Sequence, residues 1–134
     1  MVGRLHHVVL DCPDPRRLAS FYAALLDQPI TYDDGDWVVV ASDDTSSGLA
    51  FQLAPDHRPP TWPEDRVPQQ VHLDIMVEDV DAATPRVLAL GATRLGGGGV
   101  FADPAGHPFC LVRRPRWAEP ISPRPGKADR GETP

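Results

Sequence analysis

The sequence predicts an α+β fold. Two tandem βαβββ modules would form a curved mixed sheet with a central cleft and carry their helices on the outer face. Three observations predict this. The opening His7-Val-Val-Leu-Asp-Cys-Pro-Asp14 reappears 65 positions later as His72-Leu-Asp-Ile-Met-Val-Glu-Asp79. Phe51-Gln-Leu53 reappears 58 positions later as Phe109-Cys-Leu111, so the two markers keep their order. Matches in the same order at a long period are the mark of a duplicated unit. Five prolines between Pro55 and Pro68 form a stiff, extended connector that divides the folded part into halves of similar length.

The first module, residues 4–55, starts with a strand. Val8, Leu10 and Cys12 share one face, and His7, Val9 and Asp11 share the other. Asp14 is placed to cap a helix whose first residue is Pro15, a position where the missing N–H costs nothing. Leu18, Phe21, Tyr22 and Leu25 then recur at helical spacing as one apolar stripe. That stripe should pack on the Val8/Leu10/Cys12 face, leaving His7 on the opposite side of the sheet. Strands at Ile30–Tyr32 and Asp36–Ala41 flank Asp34-Gly35, a hairpin signal, and Gly48–Ala54 supplies the last strand.

The second module, residues 69–115, repeats the plan. Val71, Leu73, Ile75 and Val77 alternate with His72, Asp74, Met76 and Glu78, giving a strand over His72–Glu78. A helix lies within Asp81–Leu90. With Asp81 as its cap, Pro85 falls just past the first turn, which predicts a short or bent helix. Strands follow near Thr93–Leu95, Val100–Ala102 and Pro108–Val112. Gly96–Gly99 reads as a turn between strands, because no Lys-Ser/Thr follows to make a phosphate loop. Residues 1–115 thus form one domain. Residues 116–134, with four prolines and few apolar side chains, form a tail expected to be flexible.

Composition narrows the function classes. The chain has 134 residues, 41% hydrophobic, and a net charge of −6. No apolar run approaches the length of a membrane span, and the first seven residues carry no leader pattern. A cytoplasmic location is the expectation. The acidic balance disfavours nucleic acid, and Arg113-Arg-Pro-Arg116 is too short for a basic patch. Two cysteines 98 positions apart make neither a disulfide framework nor a paired metal motif.

Alternation places Gln52 opposite Phe51 and Leu53, and Cys110 opposite Phe109 and Leu111. With the Phe/Leu pairs facing the helices, His7, Gln52, His72 and Cys110 point to the helix-free face. These four are the candidate metal ligands; imidazole suits Zn, Fe, Ni and Cu, and a thiolate makes the site softer. Asp74 and Met76 share the His72 face, and with Trp37 and Trp62 they are the candidate walls of a substrate pocket. Asp74 and Cys110 are the candidate catalytic residues. Each of these has a plainer reading: polar residues lining a wet cleft, a hydrogen-bonding Gln, a small apolar Cys, packed tryptophans. Cys12 should face the helix and be inert, out of reach of Cys110. His57 in the connector and His107 in a turn are expected at the surface.

The segments HVVLDCPDPRRLASFYAALL at His7–Leu26, HLDIMVEDVDAA at His72–Ala83 and DPAGHPFCLV at Asp103–Val112 resemble the vicinal oxygen chelate superfamily. This superfamily includes glyoxalase I, extradiol dioxygenases and bleomycin-resistance proteins, and the small glyoxalase-like group is the most similar. The resemblance covers roughly residues 4–115 and implies one divalent metal, Zn, Ni, Mn or Fe, held at the four strand positions just named. Cys110 departs from the pattern, since metal-dependent members place Glu there. That carboxylate would also move the proton in isomerase chemistry, which argues against classical glyoxalase I activity. Two functions follow. One is metal-assisted lyase, isomerase or dioxygenase chemistry on a small oxygenated molecule. The other is metal-free binding that sequesters a drug-like or natural product, which suits the acidic balance if the ligand is cationic. The resemblance also implies a homodimer.

Overall fold

The computed structural model describes residues 1–121. Its elements run β1 (His7–Cys12), α1 (Pro15–Leu26), β2 (Ile30–Asp33), β3 (Trp37–Val40), β4 (Gly48–Leu53), β5 (Leu73–Val77), α2 (Val80–Leu90), β6 (Thr93–Arg94), β7 (Val100–Ala102) and β8 (Pro108–Arg113). Each module builds one mixed sheet of four strands, ordered β1-β4-β3-β2 and β5-β8-β7-β6. In each, the first and last strands pair in parallel and the rest antiparallel. The α+β class and the tandem plan are those the sequence predicts.

Helix α1 starts as its sequence dictates. Asp14 accepts the backbone N–H of Arg17 at 3.2 Å, with Pro15 in the first turn, and Asp27 ends the helix in the left-handed region. Helix α2 corrects the expected start: its cap is Asp79, which accepts from Ala82 N, not Asp81. The helix runs through Pro85 to Leu90, where Gly91 closes it in the left-handed region. Both caps therefore keep the 65-position offset.

One core holds the two modules together. Leu10, Cys12, Leu18, Tyr22, Val38, Val40 and Phe51 of the first pack with Val87, Phe101, Phe109 and Leu111 of the second. Tyr22 stacks on Phe51, their rings 5.4 Å apart, and Phe21 reaches across to Phe109 at 5.9 Å. Cys12 is fully buried there and both cysteines are free, as the strand faces predicted.

The connector does more than space the modules. His57 Nε2 lies 3.1 Å from the Ala105 carbonyl, and its ring lies 4.9 Å from that of His107. A Cβ on Gly106 would sit 2.6 Å from Pro59 Cβ, so the connector lies closely on this turn. His107 is buried, against the surface position expected, because its Nδ1 lies 2.9 Å from Asp103 Oδ2. Burial of a polar ring is tolerated where a carboxylate satisfies it. The expected tail falls mostly outside the described residues. Its described part is held: Arg114 binds Glu78 and the Ala118 carbonyl, and Ile121 N–H donates to Glu78.

Candidate functional site

The helix-free face of the first sheet carries the larger cavity. Val39 is its apolar floor, and Trp37 beside it packs on the small cluster of Val39, Ala41 and Ala50. The cavity measures about 460 Å³ and is lined by His6, His7, Thr31, Tyr32, Trp37 and Val39, with Asp34, Asp43 and Asp44 around it. That size and mixture of aromatic walls with a few polar groups suit a small organic molecule.

Two of its carboxylates also build their own loops. Asp34 accepts from the backbone N–H groups of Asp36 and Trp37 and from the Tyr32 hydroxyl, which fixes Trp37 at the start of β3. Asp43 accepts from the Thr45 backbone and from the Thr45 and Ser46 hydroxyls. These donors, hydroxyls first, hold the Asp43 carboxyl below its usual range. The surroundings of the cavity therefore keep negative charge.

His7 is anchored by the sheet. The Gly48 backbone N–H donates to His7 Nδ1 at 3.1 Å. Burial, and then the neighbouring His6, push the His7 pKa below its ordinary value. The His6 and His7 rings lie 3.8 Å apart.

The strand ladders place the other candidates. Leu10 pairs with Phe51 and Asp11 with Gln52, whereas Leu73 pairs with Phe109 and Asp74 with Cys110. The first strands are thus related by 63 positions, not 65, once the last strands are matched at 58. Asp11 corresponds to Asp74. His7 corresponds to Gln70, and His72 to Val9. The two histidines share a face but are two residues out of equivalence, a shift invisible to sequence matching because parity is kept.

His7 pairs with Gly48, four residues from Gln52, which is about 13 Å of strand. His72 precedes β5, half exposed, with Nε2 at 3.7 Å from Asp74 Oδ1. Cys110 is partly buried beside Asp74; burial, then the Asp74 charge, raise its pKa and keep it a thiol. Met76 is exposed on the same face as Asp74, and Trp62 stands partly exposed in the connector. Asp74 also borders a smaller hollow of about 300 Å³ with Leu26, Gln28, Ser47, Gly48, Leu49, Leu73 and Ile75. Of the expected pocket walls, Trp37 alone lines the larger cavity. Tyr32, Asp34, Asp43 and Asp44 were not singled out by sequence reasoning; the hairpin and loop signals that place them were visible.

These positions bear on metal binding. Among the described residues, no three His, Cys, Asp or Glu side chains converge as a ligand set.

A family model described as glyoxalase-like domain matches residues 7–112. No curated protein matches the chain by sequence. Among solved structures, a glyoxalase/bleomycin resistance protein/dioxygenase family enzyme from Burkholderia phytofirmans PsJN superposes with a TM-score of 0.64 at 16% identity, covering 83% of this chain and 98% of that one. A glyoxalase-related enzyme from Fulvimarina pelagi gives 0.62 at 20% identity, over 90% and 94%. Oxidase ChaP-H2 gives 0.56 at 22% identity, over 88% and 98%. At these identities the likeness shows the fold.

Proposed function

Because the chain belongs to the glyoxalase-like domain family, we propose that it binds a small, uncharged or cationic organic molecule in the cavity beside Trp37, as a metal-independent ligand-binding protein. The observation that carries this reading is the cavity itself. An aromatic wall, an apolar floor and surrounding carboxylates meet in one place on the helix-free face. A planar ligand would stack on Trp37, and a positive group would gain from the ring and from the carboxylates. The smaller hollow at Leu73–Ile75 is apolar and bordered by Asp74 but has no aromatic wall.

The test uses the full chain and three small probes: benzylammonium, benzamide and benzoate. Binding is read from the Trp37 indole N–H signal, assigned by its loss in Trp37→Phe. The expected result is a saturable shift with benzylammonium and benzamide, and a weaker one with benzoate. No shift with any probe overturns the reading, as does a shift equal for benzoate.

A second reading, metal-free acid–base chemistry, rests on the approach of His72 to Asp74 with the Cys110 thiol alongside. This reading predicts turnover of a bound molecule that is lost in His72→Gln, while Trp37 still reports binding.

A further inference from the structure

His7 is the residue through which the family pattern would recruit a metal, and its hydrogen bond points elsewhere. Gly48 N–H donates to His7 Nδ1. A ring nitrogen that accepts a hydrogen bond carries no proton. Neutral imidazole has one N–H, which must then sit on Nε2. A metal-bound histidine has the opposite arrangement: the ligating nitrogen offers its lone pair, and the other donates its N–H to an acceptor. Ligation through Nε2 would put an N–H on Nδ1, facing the Gly48 N–H donor to donor.

The backbone around that donor is held. Gly48 lies so close to β3 that a Cβ would stand 2.2 Å from the Val40 carbonyl oxygen and 2.7 Å from Ala41 Cβ. One residue earlier, the Ser47 hydroxyl donates to the Leu5 carbonyl, tying the strand start to the segment before His7. The imidazole therefore meets a pinned donor, and Nε2 is the ring nitrogen left for a ligand in the cavity that His7 lines.

We propose that His7 is a fixed hydrogen-bond donor and not a metal ligand, its Nε2–H meeting an uncharged acceptor oxygen, a carbonyl or amide, of the organic molecule held beside Trp37. The ligand half of this proposal rests on the cavity reading above; the tautomer half does not. The surrounding Asp34, Asp43 and Asp44 set the acceptor's charge: a carboxylate or phosphate would meet three like charges, whereas a neutral oxygen meets none of that cost.

Two measurements on the full chain test it. Long-range ¹H–¹⁵N spectra read the histidine tautomers, with His7 assigned by its loss in His7→Gln. The expected result is the Nε2–H form, unchanged by added zinc or nickel chloride. The Nδ1–H form, or a His7 nitrogen that shifts on addition of zinc, overturns the proposal. Benzamide and benzylammonium are then titrated, read at Trp37. His7→Leu should weaken benzamide about five- to tenfold and benzylammonium less, with an unchanged thermal midpoint reporting an intact fold. His7→Gln, which keeps an N–H donor, should lose less. Equal benzamide affinity in wild type and His7→Leu overturns the donor role and leaves the cavity reading standing. A silent Trp37 with every probe overturns the cavity reading and the ligand half with it, while the tautomer result still decides metal ligation.

Discussion

The Tyr22 hydroxyl donates to Asp103 Oδ2 at 2.7 Å, joining the first module's helix to the last turn of the second. Both groups are buried, and Asp103 also accepts from the backbone N–H groups of Ala105 and His107. Burial first, and then the Asp103 carboxylate, hold the Tyr22 phenol protonated far above its usual range. The bond ties the two modules through residues 81 positions apart in sequence.

Tyr22→Phe keeps the ring stacked on Phe51 and removes the donor alone. It should cost about 1–3 kcal/mol, since a buried carboxylate loses one of its partners. Asp103→Ala should cost more, because it strands the phenol and two backbone donors together. Urea unfolding of both variants checks the order; a Tyr22→Phe midpoint equal to wild type would show that the tie adds nothing.

Gly48→Ala should destabilise the fold by about 3 kcal/mol. Its Cβ would overlap the Val40 carbonyl and Ala41, and neither backbone strand can move aside without breaking the β3–β4 ladder. A lowered thermal midpoint, measured beside the neighbouring exchange Leu49→Ala, separates this overlap from ordinary loss of packing.

The two thiols should differ in reactivity. Cys12 is fully buried, and desolvation, the largest cause, lifts its pKa to about 11. Cys110 is partly exposed. Iodoacetamide at pH 8 should label Cys110 slowly and Cys12 only after unfolding, read by intact mass. The Cys12 shift also sets a sign for stability. Its pKa is raised above the unfolded value of 9.0, so its contribution is present below pH 9 and declines as pH rises toward about 11. Cys12→Ala should flatten that alkaline decline.

Pro85→Ala should stabilise the protein by about 1–3 kcal/mol. Helix α2 continues through Pro85 although proline supplies no N–H to the turn before it. Denaturant unfolding reads the gain; no gain would mean that the surrounding packing has been shaped around the proline ring.

Glu78 illustrates the acid side. Its carboxylate accepts from Arg114, and then from Ile121 N–H, and these hold its pKa below the ordinary value. Such a group stabilises the fold above its unfolded pKa and loses that contribution as pH falls through the folded one. The pair is exposed, so the effect of Glu78→Gln should be small at neutral pH and fade as acid protonates the carboxylate below its ordinary range.

Much of the molecule was legible in the chain. Period-two alternation placed the strands and their faces, so Cys12 lies inward and Gln52 outward. The Asp14-Pro15 start and the Leu18–Leu25 stripe placed α1. These signals are local: each depends on residues within one or two turns of each other. The Asp79 cap was misplaced because Asp81 lies close by and offers the same side chain.

What only the tertiary structure decided is how distant segments meet. Two repeats can be matched at 65 or 63 positions with the same residues on the same face, and only the β1–β4 and β5–β8 ladders choose between them. Sequence put His7 on the open face, but the Gly48 N–H that sets its tautomer comes from 41 residues away. His107 reads as a turn residue and is buried, because Asp103 and His57 of the connector lie against it. Faces follow from the period of the chain; partners follow from packing, where a single backbone donor decides what an imidazole can do.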